Sequence, residues 1–125
     1  MKGPSEDSAQ IGLAAWLDSL WYKPQAGEAR RLLWCHVPNG GNRSPITGAR
    51  LKLLGTKRGV PDILIFDPPP LSNYVGMAVE LKRKSGGRVS EEQAEWILKL
   101  HRVGWAAKVC HGFDDAKQAI EDMGY

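Results

Sequence analysis

The stretch Gly59-Val60-Pro61-Asp62-Ile63-Leu64-Ile65-Phe66 is an apolar, strand-like run entered through an acidic residue, and a second such run ends in Glu80-Leu81-Lys82. Side chains alternate between the two faces of a strand, so Glu80 and Lys82 project from one face while Leu81 points to the other. A proline-rich turn over residues 67–70 can return the chain so that the two runs lie side by side. If they pair, the side chains of Asp62, Glu80 and Lys82 converge.

Helical and strand-like patterns alternate around this pair, which we expect to be antiparallel. The helix predicted from Ser90 is long enough for a crossover, so the strands on either side of it should be parallel with a right-handed connection. The sequence therefore predicts an α/β fold, a mixed sheet with helices on both faces. The predicted elements are a helix over 5–21, a strand over 32–37, a short helix over 44–55, strands over 62–66 and 74–82, a helix from 90, a strand over 105–110 and a last helix from Asp114.

The first predicted helix carries one stripe that begins polar and ends apolar. Glu6, Gln10, Leu13 and Leu17 follow helical spacing, with Ser5 as the expected N-cap. Such a stripe can bring Glu6 and Gln10 to the edge of a pocket, and a capping or surface role for Glu6 is the alternative.

The helix from Ser90 begins with a capping-box pattern, in which Gln93 is the third residue after the cap. Gln93 has two candidate roles, because its amide can cap the helix or contact a phosphate or a water in the site. The predicted inner face consists of Ala94, Ile97, Leu98 and His101.

Length and composition predict one domain over residues 1–125, with 42% hydrophobic and 25% charged residues. Apolar runs are too short to span a bilayer and the polar start is no signal peptide, so we expect a cytoplasmic protein and no membrane partner. Two cysteines, Cys35 and Cys110, are expected to be reduced core residues. Core packing is also the better interpretation of the five tryptophans.

Positive charge is unevenly distributed along the chain, although the net charge is only +3. No acidic residue lies between Glu28 and Asp62, and a second basic island begins at Lys82. These stretches flank the carboxylates and suit a polyanion such as nucleic acid, whereas a solvated face without a partner is the alternative. The basic residues are Arg30, Arg31, Arg43, Arg50, Lys52, Lys57 and Arg58, followed by Lys82, Arg83, Lys84 and Arg88.

The converging carboxylates fit phosphodiester hydrolysis, which needs neutralised charge and an activated water. Mg²⁺ prefers oxygen ligands, and Asp62, Glu80 and the Leu81 carbonyl would suffice as protein ligands. Lys82 could orient or deprotonate the attacking water, and the residues leave both roles open. The alternative is an exposed Glu80–Lys82 ion pair with Asp62 capping a turn.

Taken together, these motifs resemble the VRR-NUC (virus-type replication-repair nuclease) domain of the PD-(D/E)XK superfamily. The resemblance extends from about Glu6 to the C-terminus. The motifs that carry it are Asn39-Gly40-Gly41 with Arg43, Leu51-Lys52, the run from Gly55 to Asp62, Glu80-Leu81-Lys82 and Ser90-Glu91-Glu92-Gln93.

The resemblance implies a restriction-endonuclease-like fold and a role for each matching residue. Asp62, Glu80 and the Leu81 carbonyl would bind Mg²⁺ or Mn²⁺, Lys82 would be the catalytic lysine, and Gln93 the motif glutamine. Glu6, or its neighbour Asp7, would match an acidic residue of the first helix. The residues expected to contact DNA are Asn39, Arg43, Arg50, Lys52, Lys57, Arg58, Lys84 and Arg88.

The chain resembles the stand-alone members of the family, which are common in phage genomes. This resemblance implies a homodimeric Holliday-junction resolvase that cuts branched DNA in the cytoplasm of a bacterial host. A nuclease for flaps, single strands or a specific sequence is the first alternative. A non-catalytic DNA-binding module is the second, disfavoured because carboxylates facing phosphate repel it unless a cation intervenes.

Overall fold

The computed structural model describes residues 6–38 and 44–125. Its main element is a four-stranded sheet. Its order is β3-β4-β5-β6, from Trp34–His36, Ile63–Ile65, Met77–Lys82 and Ala106–His111. The β4-β5 pair is antiparallel and β5-β6 is parallel, as predicted. Strand β3 pairs with β4 in antiparallel orientation. A short antiparallel pair not foreseen from the sequence, β1 (Trp21–Tyr22) and β2 (Arg30–Arg31), precedes the sheet.

Four helices occur within the described residues, in the predicted order along the chain. They are α1 (Glu6–Ser19), α2 (Pro45–Leu53), α3 (Glu91–Arg102) and α4 (Phe113–Asp122). α3 makes the crossover between the parallel strands β5 and β6. In the part of the chain described, no helix is long and apolar enough to cross a membrane.

One face of the sheet packs against α1 and α4 and forms the main core. Leu13 and Leu17 of α1 and Ile120 of α4 are fully buried against Val79 and Leu81 of β5. Fully burying a side chain of this size stabilises the fold by about 1.5–3 kcal/mol. The apolar half of the predicted α1 stripe is therefore confirmed. Its packing determines where the first turn of α1 lies relative to the sheet.

The opposite face packs against α3, which is rotated from its predicted orientation. The half-buried stripe of α3 contains Gln93, Trp96, Ile97 and Leu100, whereas Ala94 and Leu98 are exposed. The prediction of Ala94, Ile97, Leu98 and His101 was therefore correct for Ile97 and wrong for Ala94 and Leu98. The cause is Gln93, whose polar side chain the apolar pattern ignored although it is directed to the sheet. The His101 ring still reaches the sheet, since its Nε2 lies 3.0 Å from the Ala107 carbonyl oxygen.

The first strand of the sheet is shorter and less buried than predicted. Strand β3 covers three residues and lies at the sheet edge, where it has one neighbouring strand. Cys35 is consequently exposed, so its assignment to the core was wrong, whereas Cys110 is buried as predicted. Trp21 is also exposed, so core packing was the wrong interpretation of this tryptophan, which stacks with the Arg31 guanidinium 4.4 Å from the ring centroid.

Serine side chains cap two of the helices, with Ser90 at the predicted position, whereas the predicted start of α4 was wrong. Ser44 caps α2 and Ser90 caps α3 through side-chain hydrogen bonds, and Gly104 follows α3 with a φ of +96°. The N-cap of α4 is Gly112 rather than Asp114, because Gly112 adopts a φ of +89° that turns the chain directly from β6 into the helix. Ser5, the predicted cap of α1, lies outside the described residues.

Candidate active site

The register of β4 and β5 brings the predicted carboxylates together. Ile63 pairs with Val79, so the antiparallel register places Asp62 beside Glu80 where β4 begins. Asp62 Oδ2 accepts a hydrogen bond from the Leu81 backbone N–H at 2.7 Å. Because the N–H and C=O of a strand residue face the same neighbour, the Leu81 carbonyl is directed to the side on which Asp62 lies.

Gly59 explains why the segment before Asp62 contains a glycine. Its φ is +88°, and a Cβ there would lie 2.5 Å from the Glu92 carbonyl carbon and 2.7 Å from the Gln93 nitrogen. Only a residue without a side chain can approach the first turn of α3 so closely. This contact fixes the approach to Asp62 against the helix that carries Gln93.

Glu80 is buried with half of its hydrogen-bonding capacity unused. Only 3% of the residue is exposed. Its Oε1 accepts a hydrogen bond from Gln93 Nε2 at 2.8 Å and lies 3.6 Å from Lys82 Nζ. Its Oε2 is also buried and has no hydrogen-bond partner. Such an atom is costly unless a proton or a cation satisfies it.

The pKa of Glu80 reflects this environment. Burial is the largest cause and the nearby Asp62 carboxylate the second, and together they outweigh Lys82 and raise the pKa from 4.5 to about 8. Two carboxylates held this close favour either a shared proton or a bound cation.

Gln93 performs two tasks with one amide. Its Oε1 accepts from the Ser90 backbone N–H at 2.9 Å, while Ser90 Oγ accepts from the Gln93 backbone N–H at 3.1 Å. The predicted capping box is therefore confirmed. The amide nitrogen remains free to donate to Glu80, so the cap of α3 and the orientation of Glu80 share one side chain.

Lys82 is also largely removed from solvent, with 9% of the residue exposed. Every residue of β5 is buried. The alternative of an exposed ion pair on a half-solvated strand is therefore wrong. A lysine and a glutamate in this position are held beneath the surface, beside Asp62.

A cleft of about 250 Å³ opens beside Asp62 and Leu81. The first turn of α1 supplies one wall, and both of its acidic residues contribute, so the expected position of Glu6 at the rim is correct and Asp7 shares it. The lining residues are Glu6, Asp7, Gln10, His36, Pro38, Asp62 and Leu81.

His36 also lines the cleft, although the sequence did not predict a role for it. Its Nδ1 lies 2.8 Å from the Asp62 carbonyl oxygen, and the neighbouring Val37 N–H donates to the same oxygen at 2.8 Å. The usable signal was its position in the strand that pairs with β4. These contacts hold the Asp62 backbone from the side of β3.

The candidate DNA-binding residues fall into two groups. Asn39 and Arg43 lie outside the described residues. The others are exposed, as an electrostatic contact surface requires, namely Arg50, Lys52, Lys57, Arg58, Lys84 and Arg88.

The donor set fits a hard divalent cation. Over residues 6–38 and 44–125, no three His, Cys, Asp or Glu side chains gather as a ready-made metal cluster. Two carboxylates and a strand carbonyl remain, which suits Mg²⁺ or Mn²⁺ because these ions accept oxygen donors and retain several waters. The partnerless Glu80 Oε2 is the observation that favours such an ion.

Comparison with known proteins agrees with this geometry. The model of the VRR-NUC domain matches residues 13–114, which include Asp62, Glu80, Lys82 and Gln93 but not Glu6. One solved structure, described as a VRR_NUC domain protein, is 26% identical, with a TM-score of 0.80 over 99% of this chain and 91% of that chain. This likeness confirms the predicted PD-(D/E)XK-like fold. A search of curated proteins finds no match. The chain therefore belongs to the VRR-NUC family, whose domains are of the nuclease type.

Proposed function

We propose that this protein is a metal-dependent, structure-selective endodeoxyribonuclease that hydrolyses phosphodiester bonds in branched DNA as a homodimer. Four-way junctions are the expected substrate and Mg²⁺ or Mn²⁺ the cofactor. The observation that carries the proposal is the buried, partnerless Oε2 of Glu80 beside Asp62, Lys82 and Gln93. A protein that only bound DNA would gain nothing from a buried Glu80 beside the half-buried Asp62.

Asp62, Glu80 and the Leu81 carbonyl would hold the cation. When bound, it supplies positive charge to the phosphate and lowers the pKa of a water molecule. Gln93 fixes the orientation of Glu80 through the 2.8 Å hydrogen bond to Oε1. The Leu81 N–H does the same for Asp62, so both carboxylates are positioned before substrate arrives.

Lys82 would orient the attacking water and stabilise charge on the phosphate. Its ammonium lies 3.6 Å from Glu80 Oε1, so it would be close to a cation and a water held by Glu80. In the reaction the water gives up a proton to solvent as its oxygen bonds to phosphorus, the ester bond to the leaving oxygen breaks, and that oxygen takes up a proton from solvent. Glu6 and Asp7 would act at the rim of the cleft, on the first turn of α1.

The exposed basic residues would bind the DNA backbone around this acidic site. Arg50, Lys52, Lys57 and Arg58 precede Asp62 in the chain, and Lys84 and Arg88 follow Lys82. Phosphate contacts supply most sequence-independent affinity, so binding should weaken steeply as salt rises. Cutting two strands of a junction symmetrically requires two active sites, which a homodimer provides.

The proposal is tested by cleavage of a panel of labelled DNAs in Mg²⁺ and in Mn²⁺. The panel contains a four-way junction, a flap, a single strand and a linear duplex of random sequence. We expect preferential cutting of the junction. Glu80→Ala should reduce the rate by at least roughly a hundredfold while DNA binding is retained, since transition-state stabilisation at such a site is worth this much.

Glu95→Ala is the matched control, because Glu95 forms an exposed ion pair with Lys99 on the outer side of α3. It should leave cleavage unchanged. Undiminished activity of Glu80→Ala would contradict the assignment of the active site.

Two alternatives remain as outcomes of the same panel. Cutting of one duplex sequence regardless of branching would indicate a sequence-specific nuclease, and preference for flaps or single strands would indicate a different structural selectivity. Binding without cleavage in either metal would indicate a DNA-binding module.

A further inference from the structure

Helix α2 lies in the chain between two segments that contribute to the candidate active site. The chain leaves β3 through His36 and Pro38, both of which line the cleft, and returns from α2 to Asp62, which lines it as well. Gly59 fixes the returning segment against the first turn of α3. The C-terminal end of α2 is therefore joined, through residues 55–59, to a segment that is fixed beside Gln93.

The outer surface of α2 is apolar to a degree that its position does not explain. Ile46 is 83% exposed and Leu53 is 89% exposed, and Leu54, which directly follows the helix, is 69% exposed. Ser44 and Pro45 begin the helix with a regular cap, so these side chains belong to an ordered element. Large apolar residues grouped on a helix surface commonly mark a contact site.

Positive charge shares this surface. Ile46, Arg50 and Leu53 recur at spacings of four and three residues and thus lie on one face of the helix. Lys52 lies on the same helix, and Lys57 and Arg58 follow it, in a stretch without acidic residues.

This combination selects among possible occupants. A second copy of the chain meeting α2 through its own α2 would bring these basic groups against each other, which is unfavourable. An anionic partner with apolar surfaces is complementary instead. Nucleic acid at a branch point has both properties, since its phosphates are charged and its bases are partly unstacked.

We propose that α2 reads DNA branching: Ile46 and Leu53 contact unstacked base faces at the branch, while Arg50 and Lys52 contact the adjacent phosphates. Leucine and isoleucine side chains are known to insert between base steps and to favour DNA that is already kinked or unstacked. In a linear duplex the bases are stacked, so the same contacts require unstacking, which costs free energy at each base step. The inference rests on the proposed nuclease function and names the residues that would supply its selectivity.

The test compares wild type with the double variant Ile46→Ser/Leu53→Ser. Both side chains are exposed, so the fold should be retained, which circular dichroism checks. The ratio of kcat/KM for the four-way junction to that for linear duplex should fall roughly tenfold, because the variant loses apolar contacts made only at the branch. Cleavage of linear duplex should be unchanged.

Leu71→Ser is the matched control. Leu71 is 73% exposed and lies in the loop after β4, at the end of that strand opposite to Asp62. It should leave the ratio unchanged.

A second readout separates this inference from the nuclease proposal. 2-Aminopurine placed at the branch of the junction should change fluorescence when wild type binds without divalent metal, and should respond less to the double variant at saturating protein. If wild type cuts no DNA, the nuclease proposal fails while this binding signal still decides the role of α2.

An unchanged cleavage ratio with an unchanged fluorescence response would overturn the inference. So would dissociation of a dimer by the double variant in sedimentation, which would make α2 a subunit contact. Loss of binding to anionic phospholipid vesicles, with junction binding intact, would assign α2 to a membrane surface instead.

Discussion

Glu80 is the residue on which the chemical interpretation depends. Its position on the same strand face as Lys82 was predictable from the two-residue spacing. Its burial, its bond to Gln93 and its partnerless Oε2 were not predictable, because they depend on how α3 packs on β5.

The raised pKa of Glu80 gives a pH-dependent stability with a defined sign. Between its ordinary value of 4.5 and about 8, the folded protein holds a proton that the unfolded chain has lost. The contribution of Glu80 to the free energy of unfolding is therefore full below pH 4.5 and declines as pH rises through about 8.

Glu80→Gln removes this dependence while keeping an acceptor for Gln93. Without divalent metal, the variant should gain stability relative to wild type by on the order of 2 kcal/mol between pH 4.5 and 8. Urea unfolding at a series of pH values in EDTA measures the difference. Parallel pH profiles for the two proteins would show that Glu80 titrates normally.

At the scale of the elements, the sequence predicted order and direction better than orientation. The antiparallel β4-β5 pair and the parallel β5-β6 pair followed from connection lengths. The predicted buried face of α3 was displaced by one residue, because Gln93 is directed to the sheet and interrupts the apolar pattern. The burial of β3 was wrong because a short apolar run does not reveal an edge strand.

The contact between Gly59 and α3 makes a prediction about how these elements are joined. Gly59→Ala places a Cβ against the backbone of Glu92 and Gln93 and should destabilise the protein by about 2 kcal/mol or more. Cleavage should fall with it, since Gln93 orients Glu80. Thermal unfolding and junction cleavage measure the two effects.

Gly55→Ala is the matched control. Gly55 has a similar φ of +100°, but a Cβ there meets nothing within 4 Å. It therefore carries the conformational strain without the clash. Equal destabilisation by the two substitutions would show that the approach of Gly59 to α3 is unimportant.

At the scale of the whole molecule, acidic and basic groups are separated in space. Acidic groups occupy the cleft beside β4 and β5, while the basic residues of α2 and of the loops after α2 and β5 are exposed. The basic stretches were visible in the sequence. The apolar surface of α2 was not, because its pattern alone indicated an ordinary short helix.

The most direct test of the central claim, that Asp62 and Glu80 hold a divalent cation, is a calorimetric titration of the folded protein with Mn²⁺ at pH 7. It is run in two buffers of different ionisation enthalpy and repeated with Glu80→Gln. We predict one ion per protomer, bound by wild type with release of a proton, because Glu80 must ionise to coordinate it. The affinity of the variant should be at least roughly tenfold lower. Equal affinity of the two proteins, or no heat of binding by wild type, would contradict the assignment of this site.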